Sequence, residues 1–140
     1  SGYGEDQDLS YPFPAICKRA IDSVINNEKS FFVWGSGLQQ RDFIHIDDCV
    51  KGATLILNKV NDGSAVNLST GKPTSFIDLA KLILKKVGVS NLPIVTQRSK
   101  PEGVFARYGD TKMQNDFGFV PSISLDEGIN KSIAFLKLIK

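Results

Sequence analysis

The sequence predicts an α/β protein. Short apolar or alternating runs ("FFVW", "RDFIHI", "AVNLS", "LPIVT") interleave with longer stretches whose apolar residues recur at helical spacing. Two serine-led capping boxes mark helix starts, and glycines mark helix stops. The 140 residues suit one ordinary domain, 1–140, with a core of its own.

Each element follows in order. The opening "SGYGEDQDLS" is polar and glycine-containing and reads as a loop. From Pro14 to Asn26, Ile16, Ala20, Ile21, Val24 and Ile25 fall at helical spacing, and proline suits a first helical turn. Phe31 to Trp34 form a short apolar strand that Gly35 ends. "RDFIHI" alternates, and Asp47 or Asp48 then caps a helix. That helix has Cys49 or Val50, Ala53, Ile56 or Leu57, and Val60 on one face. Asn61 to Gly63 make a turn, and "AVNLS" is a buried strand. Ser75 and Asp78 form a capping box for a helix carrying Phe76, Leu79, Ala80, Ile83 and Val87, stopped by Gly88. "LPIVT" is a further strand, "RSKPEGVFARYGD" a basic extended stretch, and "TKMQNDFGF" a short helix ended at Gly118. Ser124 and Glu127 open the last helix, with Leu125, Ile129, Ile133 and Leu136 on its face.

Composition narrows the function classes. A content of 41% hydrophobic and 23% charged residues is that of a globular protein. The net charge of +2 comes from 17 basic and 15 acidic residues spread along the chain, with no dense basic stripe that would argue for nucleic acid. Apolar runs such as "ATLIL" are too short to span a membrane, and no signal peptide opens the chain, so a cytoplasmic address is expected. Cys17 and Cys49 match no zinc or redox spacing and read as small buried hydrophobes. No metal site is expected.

The stretch "VWGSGLQQRDFIHIDD", Val33 to Asp48, carries the chemistry. Arg41 follows a Gly-x-Gly turn and precedes an alternating strand. A planar guanidinium fork beside closely approaching backbone amides suits a diphosphate. The alternative is a hairpin closed by Gly35 and Gly37, with Arg41 a solvated edge charge. No third glycine completes a dinucleotide fingerprint. Arg98, Lys100 and Arg107 converge only through a turn, which Pro101 and Gly103 supply; otherwise they belong to a solvated loop. His45, the only histidine, reads as structural, and the adjacent Asp47 and Asp48 diverge and read as helix caps. Tyr108 and Lys112 have Tyr-x-x-x-Lys spacing, but Gly109, Asp110 and Thr111 place a strand-to-helix junction between them, so they are not a catalytic pair. No residue is assigned a catalytic role.

Four segments in order resemble one family. "YG" at Tyr3 and Gly4, "VWGSGLQQRDFIHIDDCVKG", "VNLSTGKPTSFIDLA", and "RSKPEGVFARYGDTKM" with "FGFVPSISLDEGI" are similar to motifs of the NAD-dependent epimerase/dehydratases, extended short-chain dehydrogenase/reductases acting on nucleotide sugars. Glu5 stands in place of that family's proline after Tyr-Gly, and Ser69 in place of a glycine. The resemblance implies the C-terminal, substrate-binding portion of such an enzyme, lacking the N-terminal Rossmann half with its glycine fingerprint and Tyr/Lys pair. It implies that NAD or NADP binds elsewhere in the full enzyme, which works through a transient keto sugar. It further implies that Arg41, Gln40 and Arg107 hold the diphosphate or nucleotide, with Trp34 and Tyr3 as further substrate contacts; Trp34 reads equally as core packing. "CKRA", "WGSGLQQR" and "PEGVFAR" look most like GDP-mannose 3,5-epimerases, and "VWGSG" and "SKPEG" also resemble GDP-L-fucose synthases. A GDP-sugar is therefore favoured over a UDP- or dTDP-sugar. The isolated chain is expected to be inactive and to self-associate through edges that the other half would cover. The competing expectation is a standalone nucleotide-sugar-binding module without catalysis.

Overall fold

The computed structural model describes residues 1–139, and its elements alternate as the sequence predicts. β1 (Gly2–Tyr3) leads to α1 (Pro12–Ile25), β2 (Phe31–Trp34), β3 (Gln40–Asp42), β4 (Ile44–His45) and α2 (Ile46–Leu57). Then come β5 (Pro73–Ser75), α3 (Phe76–Lys86), β6 (Ile94–Gln97), β7 (Ala106–Arg107), α4 (Lys112–Asp116) and α5 (Leu125–Leu138). The strands form small sheets. β1 pairs with β4 and β2 with β6, both parallel, while β3 is antiparallel to β5 and parallel to β7.

The main core lies where α1, α3 and α5 meet the inward residues Tyr3, Phe31, Val33 and Phe43. Ile16, Cys17 and Ala20 of α1, Leu79, Ala80 and Ile83 of α3, and Ile129 and Ile133 of α5 are all buried there. Both capping boxes form: the Ser75 hydroxyl accepts from the Asp78 N–H and the Ser124 hydroxyl from the Glu127 N–H, each at 3.1 Å. Gly88, at φ +89°, follows α3 as expected. A second, smaller cluster gathers Ile44, Ile56 and Phe119, with Val60, Val66 and Leu68 against it.

Several expectations are corrected. α1 begins at Pro12 rather than Pro14, because Pro12 takes a first-turn position where its missing N–H costs nothing. Val24 and Ile25 at its end are exposed. "RDFIHI" is not one strand. Asp42, Phe43, Ile44 and His45 are all buried, so the chain bends out of alternation and serves two sheets. "AVNLS" forms no ladder among the described residues; Val66 and Leu68 pack inward while Ala65 and Asn67 face out.

Neither aspartate caps α2. His45 does, its Nδ1 accepting from the Asp47 N–H at 3.2 Å. An imidazole acceptor is absent from the usual list of caps, which is why the motif misleads. The buried face of α2 runs through Asp48, Gly52 and Ile56, so Val50, Ala53 and Leu57 point outward. Cys17 is buried, and burial pushes its thiol up to about 12, but Cys49 is only half-buried. Gly35 and Gly37 close no hairpin, since β2 and β3 belong to different sheets.

Candidate nucleotide-diphosphate site

The site forms where β3 meets β7 and the end of β2. In the parallel register of β3 and β7, Arg41 lies opposite Arg107, so both side chains leave the same face. Neighbouring strands are about 4.8 Å apart. Two like charges are thus held side by side. The Arg41 pKa is lowered, first by burial and then by the charge of Arg107. An anion placed between them removes that repulsion. Arg41 Nη1 donates to the Gln40 and Val104 carbonyls at 2.7 and 2.8 Å, and its guanidinium sits 5.7 Å from the Phe76 ring centroid. These contacts fix the side chain while leaving its remaining nitrogens without hydrogen bonds to the described residues.

Two cavities meet at this arginine. The larger, about 440 Å³, is lined by Arg41, Trp34, Gln39, Arg19, Phe76 and Glu102, among others. The smaller, about 310 Å³, is lined by Arg41, Arg107, Gln7, Tyr11 and Phe43, among others. Both fall in the range of small-molecule sites. Trp34 is 51% exposed at the larger cavity, because alternation along β2 turns Phe31 and Val33 inward instead. Lys100 Nζ lies 5.6 Å from its ring centroid. Arg19 also lines this cavity, but its Nη1 and Nε donate to the Phe32 and Ala15 carbonyls at 3.0 and 3.3 Å, so its role there is to hold α1 against β2.

The remaining sequence candidates lie elsewhere. Gln40 lines neither cavity; adjacent strand residues point oppositely, so its side chain leaves the face opposite Arg41. Gln39 takes the place at the cavity wall, its Nε2 donating to the Trp34 carbonyl at 3.1 Å. Tyr3 is 2% exposed, and its ring packs 4.1 Å from that of Phe13 and directly against Gly128 of α5. It is a core residue. Tyr108 and Lys112 stay apart from any shared helix face, and Lys112 pairs with Asp116 at 2.7 Å.

Two buried carboxylates hold the frame behind the site. Asp42 points inward from β3 and accepts from the Ser69 and Thr70 hydroxyls and from the Thr70 and Gly71 N–H groups, the amides at 3.0 and 3.2 Å. This ties the 69–71 turn to the strand that carries Arg41. Asp48 accepts from the Ser122 N–H, the Ser122 hydroxyl and the Ile123 N–H at 2.9, 2.8 and 2.8 Å. Sequence reasoning missed Asp42, although a carboxylate one residue after an outward arginine must face inward. It missed Glu102 and Gln39 at the cavity because long-range packing, not local pattern, brings them there.

Residues 3–69 match the NAD dependent epimerase/dehydratase family. The matched segment holds the Gly-x-Gly turn and Arg41, and there the chain is similar to that family. Among curated proteins, it is 33% identical over 135 residues to a putative UDP-glucose 4-epimerase of Methanocaldococcus jannaschii, covering 96% of this chain and 43% of that one. It is 28% identical over 134 residues to the putative GDP-L-fucose synthase 2 of Arabidopsis thaliana, covering 93% and 40%. The fold matches that of RMD from Pseudomonas aeruginosa, solved with NADPH, at a TM-score of 0.87 and 16% identity, covering all of this chain and 47% of that one. The chain therefore spans about two fifths of the length of the curated relatives it matches.

The family is named for NAD, but the residues of this chain do not fit a dinucleotide pyrophosphate. The Gly35 N–H donates to the Gln97 carbonyl at 3.0 Å and the Leu38 N–H to the Ser36 hydroxyl at 3.2 Å, so these turn amides are committed. The space beside the positive-φ glycines is also filled. A Cβ on Gly37 would lie 2.5 Å from Ile77, and one on Gly35 3.0 Å from Glu102. These glycines admit the protein's own side chains rather than a phosphate. Of the turn amides beside Arg41, those of Gly35 and Leu38 are thereby taken.

Proposed function

We propose that this chain is the nucleotide-sugar-binding portion of an epimerase/dehydratase, 1–140 acting as one substrate-binding domain. The observation that carries the reading is the register pairing of Arg41 with Arg107 at the junction of two cavities. Paired guanidiniums suit a diphosphate, since each presents a planar fork to phosphate oxygens. The nucleoside then occupies the larger cavity beside Trp34, and the sugar extends into the smaller one toward Gln7 and Tyr11. What these residues do is bind and orient. The cofactor, NAD or NADP, supplies hydride chemistry when bound, and it is held by residues other than these. Positioning alone contributes to rate by converting an encounter into a fixed geometry.

The test is a calorimetric titration with GDP- and UDP-sugars, paired with an assay for sugar products in the presence of NAD and NADP. Saturable binding without turnover is the expected result. Absence of binding overturns the reading, and turnover above background overturns the division of labour. A binding module that works alone gives the same titration, but its reading frame carries no glycine fingerprint upstream.

The exposed apolar surface supports a second expectation. Ile46, Val50 and Leu57 line one outward stripe of α2 and are 45%, 59% and 76% exposed, and residues 64–70 form no ladder among the described residues. Apolar surface of this kind drives association. Sedimentation across a concentration series is expected to show self-association of the 140-residue chain; a monomer at all concentrations overturns it.

A further inference from the structure

Glu102 is the one carboxylate among the residues lining the larger cavity, and three features of the turn hold it there. Gly35 lacks the Cβ that would lie 3.0 Å from the Glu102 Cβ and Cγ, so the glutamate stem packs directly on the turn. The Ser36 hydroxyl donates to Glu102 Oε1, which fixes the carboxylate's rotation. Gly103, at φ +71°, turns the chain immediately after it. Trp34, one residue before Gly35, offers an aromatic surface to the same cavity. An acceptor-only group is therefore held beside a stacking platform, inside a site whose other charged residues, Lys18, Arg19 and Arg41, are all cationic.

We infer that Glu102 reads the base of the nucleotide and selects guanine. The inference rests on the nucleotide-sugar reading above and adds the identity of the base. A carboxylate has two oxygens and no proton to donate, so it pairs best with two adjacent N–H donors. Guanine presents that pair, its ring N1–H beside its amino group. Uracil and thymine present a single N–H flanked by two carbonyl oxygens, which a carboxylate repels. Hypoxanthine keeps the ring N–H and loses the amino group, so it isolates the second hydrogen bond. Ser36 acts as a positioning residue: its hydroxyl keeps the carboxylate edge turned the same way while leaving the second oxygen unoccupied by it.

Titrating the chain with GDP, IDP and UDP tests this. The expected order is GDP tighter than IDP, and IDP tighter than UDP, with GDP over UDP by about tenfold or more, the scale of one charge-assisted hydrogen bond. Glu102→Gln is expected to collapse that preference to within about threefold while UDP binding holds or tightens. Ser36→Ala is expected to narrow it with the fold intact, checked by circular dichroism. Equal binding of the three diphosphates by the wild-type chain, or a preference that survives Glu102→Gln, overturns the inference and leaves the nucleotide-sugar reading standing. Failure to bind any of the three overturns both.

Discussion

Arg41→Ala is expected to weaken nucleotide-sugar binding by about 2 kcal/mol or more, roughly thirtyfold, the scale of a lost charge-assisted pair. The basis is position. Arg41 lies in register with Arg107 and lines both cavities, so a diphosphate spanning them meets it whichever way the sugar turns. Arg41→Lys is expected to recover little. An ammonium lacks the planar fork, and it reproduces only part of the contacts that the guanidinium makes to the Gln40 and Val104 carbonyls. Arg107→Ala should cost less, because Arg107 is exposed and water screens its charge. Calorimetric titration with a GDP-sugar, alongside thermal melts of each variant, separates binding from stability. Unchanged affinity in Arg41→Ala returns that residue to a solvated edge of the sheet.

Replacing Asp48 by alanine is expected to cost about 3 kcal/mol or more of stability, among the largest effects of any single change outside the apolar core. The side chain is 1% exposed and accepts three hydrogen bonds from Ser122 and Ile123, with Lys51 at 3.7 Å. Removing it leaves the N–H groups of Ser122 and Ile123 without their acceptor and frees the 121–124 loop that leads into α5. The same site gives a pH dependence. Burial by itself raises the Asp48 pKa, but the hydrogen bonds from Ile123 and Ser122, together with Lys51, outweigh it and hold the value below the ordinary carboxylate range. The unfolded chain therefore binds this proton first as pH falls. The contribution of Asp48 is complete above about pH 4, the unfolded value, and is lost progressively below it. Wild-type chain should lose stability through that range with a slope that Asp48→Asn lacks, measured by urea unfolding at a series of pH values. Parallel slopes would mean that Asp48 titrates alike folded and unfolded.

The sequence by itself determined what depends on near neighbours. Helical period and the Ser75 and Ser124 capping boxes are set within one or two turns, so α3 and α5 stand where the pattern places them. "FFVW" and "LPIVT" are strands by composition, and they pair with each other. The spacing around Arg41 left a plain turn open, and it was the resemblance of four segments in order, from Tyr3 to the stretch before the last helix, that pointed to the family. Tertiary structure decided the rest. Whether Trp34 faces solvent, whether Gln39 or Gln40 meets the cavity, and which residue caps α2 all depend on where strands change sheets, and one residue of register reverses every side chain. The bend at Phe43 buried four consecutive residues and made His45 a cap, against the alternation that local pattern suggested. Glu102 reached the Gly35 turn across 67 residues of sequence because a missing Cβ made room for it, a fact of packing that no local spacing encodes.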